Sequence, residues 1–143
     1  MNKLEFKNLK YLFPEKTEIN NKGVLEINKN DLSDLVKKYG SPLYIYDENT
    51  IRNISKSYVN SFKSKYKNIH VSYSSKAFSN PVLSKILLEE GLGIDVVSGG
   101  ELEILLRSKF PMQEVNFHGN NKSEDELIKS VENNIGLITI DSI

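Results

Sequence analysis

Cysteine is missing from all 143 residues, which excludes disulfides and thiolate metal sites and fits a cytoplasmic chain. Histidine is scarce, and His70 and His118 leave little material for a metal centre. No apolar run approaches the length of a membrane span. The opening MNKLEFKNLK has neither the apolar centre nor the small-residue cleavage site of a secretory signal. No Gly-x-Gly-x-x-Gly follows the first regular strand-like run and no Gly-Lys-Ser/Thr loop occurs, which argues against a dinucleotide or P-loop fold.

Net charge is absent as well, but its parts are not evenly spread. Residues 49–80 carry six basic side chains and no acid, while residues 81–143 carry five basic and eleven acidic ones. A basic segment can serve a phosphate-bearing partner or nucleic acid. No aromatic RNA signature or helix-turn-helix pattern accompanies this one, so it reads as the solvated face of a helix. With 38% hydrophobic and 27% charged residues, the chain has the balance of a globular domain with one modest core.

What is present is a regular rhythm. Five stretches carry helical periodicity with matching start and stop signals. In NKNDLSDLVKKYG, Asn30 or Asp31 caps and Gly40 stops. DENTIRNISKSYVNSFKSKY has the stripe Ile51, Ile54, Tyr58, Phe62 and Tyr66, read as ordinary core. SNPVLSKILLEEG puts Pro81 at the first helical position after Ser79 or Asn80. SGGELEILLRSKF and SEDELIKSVENN both open with Ser-x-x-Glu, a capping box. Between helices stand the strand-like runs 69–75, 93–98, 115–119 and 137–141, with 24–27 and 43–47 upstream. The four later runs alternate with single helices, as in a parallel sheet.

Polar residues gather where these runs end: Lys76, Asp95 with Ser98, His118 and Asp141. In a (β/α)8 barrel the chemistry sits at the carboxyl ends of the strands. The expectation is an α/β fold, the first four strands or so of a partial (β/α)8 TIM barrel. An open doubly wound sheet is the other arrangement with this rhythm. Because a full barrel takes about 250 residues, the chain reads as a piece of something longer.

The order YGSPLYIYDENTIR, YSSKAFSNP, GLGIDVVSGGEL, HGNNKS, IDS resembles the amino-terminal part of the diaminopimelate decarboxylase family, within the alanine-racemase-like group of pyridoxal-phosphate barrels. The resemblance runs from about Tyr39 to the end. It implies that residues 39–143 are the first half of a truncated pyridoxal-phosphate-binding barrel. Residues 1–38 are then the lead-in segment that in the family packs with a carboxy-terminal β-domain. It also implies a lyase that converts meso-2,6-diaminopimelate to L-lysine and carbon dioxide, the last step of lysine biosynthesis. Pyridoxal 5'-phosphate is the implied cofactor, and a homodimer in the cytoplasm is the implied form, with no nucleic-acid or membrane partner. Two positions depart from the family's usual Tyr-Ala-x-Lys-Ala-Asn: Ser74 stands for alanine and Phe78 for asparagine.

By this resemblance Lys76 is the catalytic lysine that condenses with the cofactor aldehyde, and Asp95 is the carboxylate beside cofactor and lysine. Residue type alone would make Lys76 a surface charge. His118 is expected to line the mouth and order its loop, and Tyr73 is either barrel filling or a cofactor neighbour. Ser98 with Glu101 reads as a helix cap, as does Ser123 with Glu126, while Asn120, Asn121 and Lys122 are candidates to line the site. No metal is expected. The family's phosphate-binding loop, ring-stacking histidine and catalytic cysteine come later in the chain, so these 143 residues alone are expected to be inactive and to associate through uncovered apolar faces. The alternatives are another barrel-type amino-acid decarboxylase (ornithine or arginine), a racemase, or a non-enzymatic polyanion-binding module built on residues 49–80.

Overall fold

Residues 3–141 are described by the structure, a computed structural model. The chain begins with α1 (Lys3–Leu9), whose buried Phe6 meets Phe13 at a ring-centroid distance of 5.5 Å. Three short strands follow, β1 (Thr17–Ile19), β2 (Leu25–Ile27) and β3 (Asn30–Asp31), antiparallel and in that order. Of the two upstream runs expected as strands, 24–27 supplies β2. The run 43–47 is not a strand, because alternation alone does not make a ladder. In α2 (Leu32–Tyr39) the cap is Asp31, which accepts from the Ser33 and Asp34 N–H groups at 2.8 and 3.4 Å. Its stop is Gly40, at φ 86°. These elements belong to the compact unit Met1–Ile54; the boundary falls inside α3 (Glu48–Lys63), and the second unit is Ser55–Ile143.

The second unit holds the repeating part: β4 (Ser72–Ser74), α4 (Pro81–Glu89), β5 (Gly93–Val96), α5 (Gly99–Arg107), β6 (Val115–Phe117), α6 (Glu124–Glu132) and β7 (Leu137–Ile138). Its strands pair in parallel in the order β4-β5-β6-β7. That order decides between the two expected architectures. A doubly wound sheet reverses direction at a switch point, whereas here every crossover steps the same way. Right-handed crossovers then put every helix on one face. This is the winding of a (β/α) barrel, seen over four strands.

Register assigns the faces. Tyr73 lies beside Ile94 and Ile94 beside Val115, while Val96 lies beside Phe117. Ile94, Val96, Val115 and Phe117 are all at most 2% exposed, and with Leu102 and Leu105 of α5 they make the core between sheet and helices. The alternate positions Ser72, Ser74, Asp95 and Asn116 form the opposite face, and all four are polar. The Asn116 amide donates to the Ser72 hydroxyl at 3.1 Å across it. On the helix side, Glu103 of α5 binds Lys129 of α6 and, at 2.7 Å, Arg107. Those two cations hold its carboxyl down at about 2, so the tie between the helices is at full strength above the ordinary glutamate range and is lost only near pH 2.

Two glycines are demanded by close approach. A Cβ on Gly93 would lie 2.3 Å from the His70 imidazole and 2.5 Å from the Glu114 carbonyl oxygen. One on Gly136 would lie 2.1 Å from the Gln113 carbonyl oxygen. Both stand at or just before the start of a strand, against the residues that lead into the neighbouring strands. The aromatic stripe departs from its expected place in the core: Tyr58 and Phe62 of α3, and Tyr66 just past its end, are 58%, 48% and 61% exposed. The helical spacing is right, but no described residue covers that side. Among the described residues, no helix is long and apolar enough to cross a membrane.

Candidate active site

The carboxyl ends of β4, β5 and β6 lie side by side, and each delivers one polar residue. Ser74 pairs with Asp95 and Asp95 with Asn116. Lys76 follows β4 by two residues, in a single 3-10 turn, Ser75–Ala77. His118 follows β6 directly, and its N–H continues the ladder to the Val96 carbonyl oxygen at 2.8 Å. Lys76, Asp95 and His118 therefore share one end of the sheet.

Their electrostatics agree. Burial pushes the Asp95 carboxyl above the usual carboxylate range; the His118 imidazole pulls it back, Glu101 adds a further push, and the Lys76 ammonium pulls it back as well. Lys76 and His118 are exposed, and among the described residues the Lys76 amine makes no hydrogen bond or ion pair. An amine left free at a strand end is what condensation with an aldehyde-bearing cofactor requires. The residues fit that end of such a cofactor.

Tyr73 is not brought to these three. It lies on the helix-facing side of β4, and its hydroxyl donates to the Phe78 carbonyl oxygen at 3.0 Å. Its neighbours Leu83, Leu87, Ile94 and Leu105 enclose a cavity of about 10 Å³, room for at most a single water. The bond uses the carbonyl of Phe78, so it does not depend on which side chain stands there. Lys122 does not line the opening either: its amine donates to the Gly119 carbonyl and, at 2.7 Å, to the Thr139 carbonyl, tying the loop after β6 to the end of β7.

The two Ser-x-x-Glu sequences differ in outcome. Ser123 and Glu126 close a full capping box at the start of α6, and the second carboxylate oxygen of Glu126 accepts the Gly99 N–H at 2.5 Å. Ser98 caps α5 by accepting from the Glu101 N–H at 3.3 Å. The Glu101 carboxylate, however, reaches past the box to the Ser75 hydroxyl and the Val97 N–H, the latter at 3.1 Å. Sequence reasoning gave Ser75 no role; its only signal was its place next to Lys76.

A singly wound parallel β/α sheet with an unengaged amine, a carboxylate and an imidazole at its strand ends defines a barrel enzyme domain of the carbonyl-cofactor type. Residues 51–143 match the pyridoxal-binding domain of the pyridoxal-dependent decarboxylases, and the chain belongs to that family. The cofactor of this family is pyridoxal phosphate. Diaminopimelate decarboxylase of Bacillus methanolicus is 45% identical over 126 residues, covering 88% of this chain and 29% of that protein. The enzyme of the same name from Bacillus subtilis is 46% identical over 123 residues, 86% of this chain and 28% of its own. Diaminopimelate decarboxylase of M. jannaschii, crystallised in co-complex with L-lysine, superposes with a TM-score of 0.79 at 32% identity, over 90% of this chain and 30% of that one. The chain thus spans under a third of the length of these relatives. Ser142, in the Ile-Asp-Ser that closes the resemblance, lies outside the described residues.

Proposed function

We propose that this chain carries the cofactor lysine of a diaminopimelate decarboxylase, which releases carbon dioxide from meso-2,6-diaminopimelate and forms L-lysine, the last step of lysine biosynthesis. The observation that carries the reading is the unengaged amine of Lys76 at a strand end shared with Asp95 and His118. The relatives named above support the substrate, and the co-complex with L-lysine in one of them supports the product. Residues 39–143 open the barrel and residues 1–38 lead into it. The absence of cysteine supports a cytoplasmic setting, and the family resemblance supports a homodimer.

In the reaction the bond between the α-carbon and its carboxylate breaks, carbon dioxide leaves and a proton takes its place. Pyridoxal phosphate, when bound, supplies the electron-withdrawing ring that takes up the electron pair left behind. Lys76 provides the amine that holds the cofactor by its aldehyde and must be neutral to attack it. Asp95 sits within electrostatic reach of that amine and helps to keep it near the opening. His118 lines the opening and orders the loop that follows. Tyr73 acts from behind the strand, fastening the far side of the Lys76 turn through the Phe78 carbonyl.

Carbon dioxide release from meso-diaminopimelate by the chain as its gene encodes it, with added pyridoxal phosphate, tests the reading; release from ornithine or arginine instead would move it to another member of the family. The 143 residues by themselves are expected to release none. Among the described residues β4 and β7 are the edge strands of their four-stranded sheet and Lys76 is exposed, whereas this chemistry gains from a closed, water-poor site. Robust turnover by the isolated 143 residues would refute that expectation.

Asp95→Asn separates function from stability. The folded carboxyl binds its proton more tightly than an unfolded one, so its ionised form costs stability at pH values above its raised folded value. That cost disappears below the ordinary aspartate range. At neutral pH the variant's cofactor-free form is expected to melt slightly higher than the parent, with no difference near pH 3. Its turnover is expected to fall about 10²-fold. A lower melting point at pH 7 would contradict the burial argument.

A further inference from the structure

Lysine has a long, flexible stem, so the aim of its amine is set first by the turn that carries it. The Lys76 turn is fastened in a particular way. Ser75, only 4% exposed, shares its one hydroxyl proton between two acceptors, the Asp95 carbonyl oxygen at 2.9 Å and the Glu101 carboxylate. The same carboxylate oxygen accepts the Val97 N–H at 3.1 Å, and its other oxygen accepts the Ser98 hydroxyl at 3.2 Å. One side chain from α5 thereby joins the end of β4, the end of β5 and its own helix start. Glu126, at the corresponding position of α6, then holds Gly99 at the start of α5. An apolar pair of similar shape could fill the Ser75–Glu101 space, but it would leave the Val97 N–H without this acceptor. What the polar pair adds is direction, since hydrogen bonds fix an orientation that packing leaves loose.

We propose that Ser75 and Glu101 form a positioning pair that aims the Lys76 amine at the cofactor. This rests on Lys76 being the cofactor lysine, and it adds two residues that act through Lys76 without touching substrate. A misplacement on the order of 1 Å in a reacting group can cost about 10²-fold in rate.

The test uses the holoenzyme of the complete gene product. Borohydride reduction and peptide mapping come first: tagging at Lys76 in the parent establishes the underlying reading, and tagging elsewhere sinks that reading irrespective of Ser75. With Lys76 tagged, Ser75→Ala is expected to lower kcat about 10- to 100-fold with KM for diaminopimelate nearly unchanged. It is also expected to shift the pH midpoint of the visible absorbance of the lysine-bound cofactor by about one unit. Glu101→Leu, which keeps much of the volume but removes both acceptor oxygens, is expected to do the same. The double variant should be no worse than the poorer single one, as two residues acting as one link require. Ser75→Thr, which keeps the hydroxyl, should recover part of the rate. A purely structural role would instead lower the melting temperature and leave kcat and the absorbance titration in place. That result, or effects that multiply in the double variant, would overturn the pair.

Discussion

Lys76→Ala is expected to lower carbon dioxide release by the complete enzyme at least about 10³-fold and to abolish borohydride-stable attachment of pyridoxal phosphate. The reasoning starts from the amine. It is unengaged among the described residues and exposed at the end of β4, so no structural bond is lost with it and the fold should survive. The informative comparison is Lys76→Arg. Arginine keeps the positive charge and most of the length, but it stays protonated at any workable pH and cannot become a nucleophile. If Lys76 served only as a cation for an anionic ligand, arginine would restore activity. The proposed chemistry requires that it does not, and that a small primary amine added to the alanine variant restores a fraction of turnover. Lys85→Ala, on the exposed side of α4 and paired loosely with Glu89 at 4.0 Å, should leave activity as it is. An active Lys76→Arg enzyme would end the case for covalent attachment at this residue.

The second large effect belongs to the other face of the same sheet. Phe117→Ala is expected to cost about 3–5 kcal/mol, a large share of the roughly 5–15 kcal/mol that holds a domain together. Phe117 is fully buried and lies in register with Val96 and Ile138, so removal of its ring leaves a hole between sheet and helices. One residue earlier, Asn116 faces the opposite side and bonds Ser72 at 3.1 Å. Asn116→Ala should therefore cost only about 1 kcal/mol. Urea denaturation of the two variants measures the contrast. Equal losses would mean that the two residues do not face opposite sides of the sheet.

Local chemistry was the most readable part of this sequence. Asp31, Asn80, Ser98 and Ser123 each cap a helix, because a cap is satisfied within four residues of itself and needs no tertiary knowledge. The β/α alternation was readable for the same reason, though the strands are only two to four residues long and shorter than their apolar runs. What escaped was everything that depends on a neighbour from elsewhere in the chain. The run 43–47 alternates like a strand but does not form one. The stripe on α3 has core spacing without a covering surface. Tyr73 and Lys76 are three residues apart, yet only the sheet's register puts the tyrosine behind the strand and the lysine at its mouth. Glu101 is the clearest instance: Ser-x-x-Glu has a sufficient local explanation, and nothing in its spacing reveals that the carboxylate crosses to Ser75.

That crossing carries a consequence for recombination. A strand and its following helix look like an exchangeable module. In this chain the third residue of α5 serves the turn after β4, and the third residue of α6 serves the first residue of α5. A breakpoint between Ser75 and Glu101 would hand the lysine's turn a foreign helix, whose third side chain was chosen for a different neighbour. Inheritance here runs in overlapping segments, each keeping the opening of the next helix with the turn it supports.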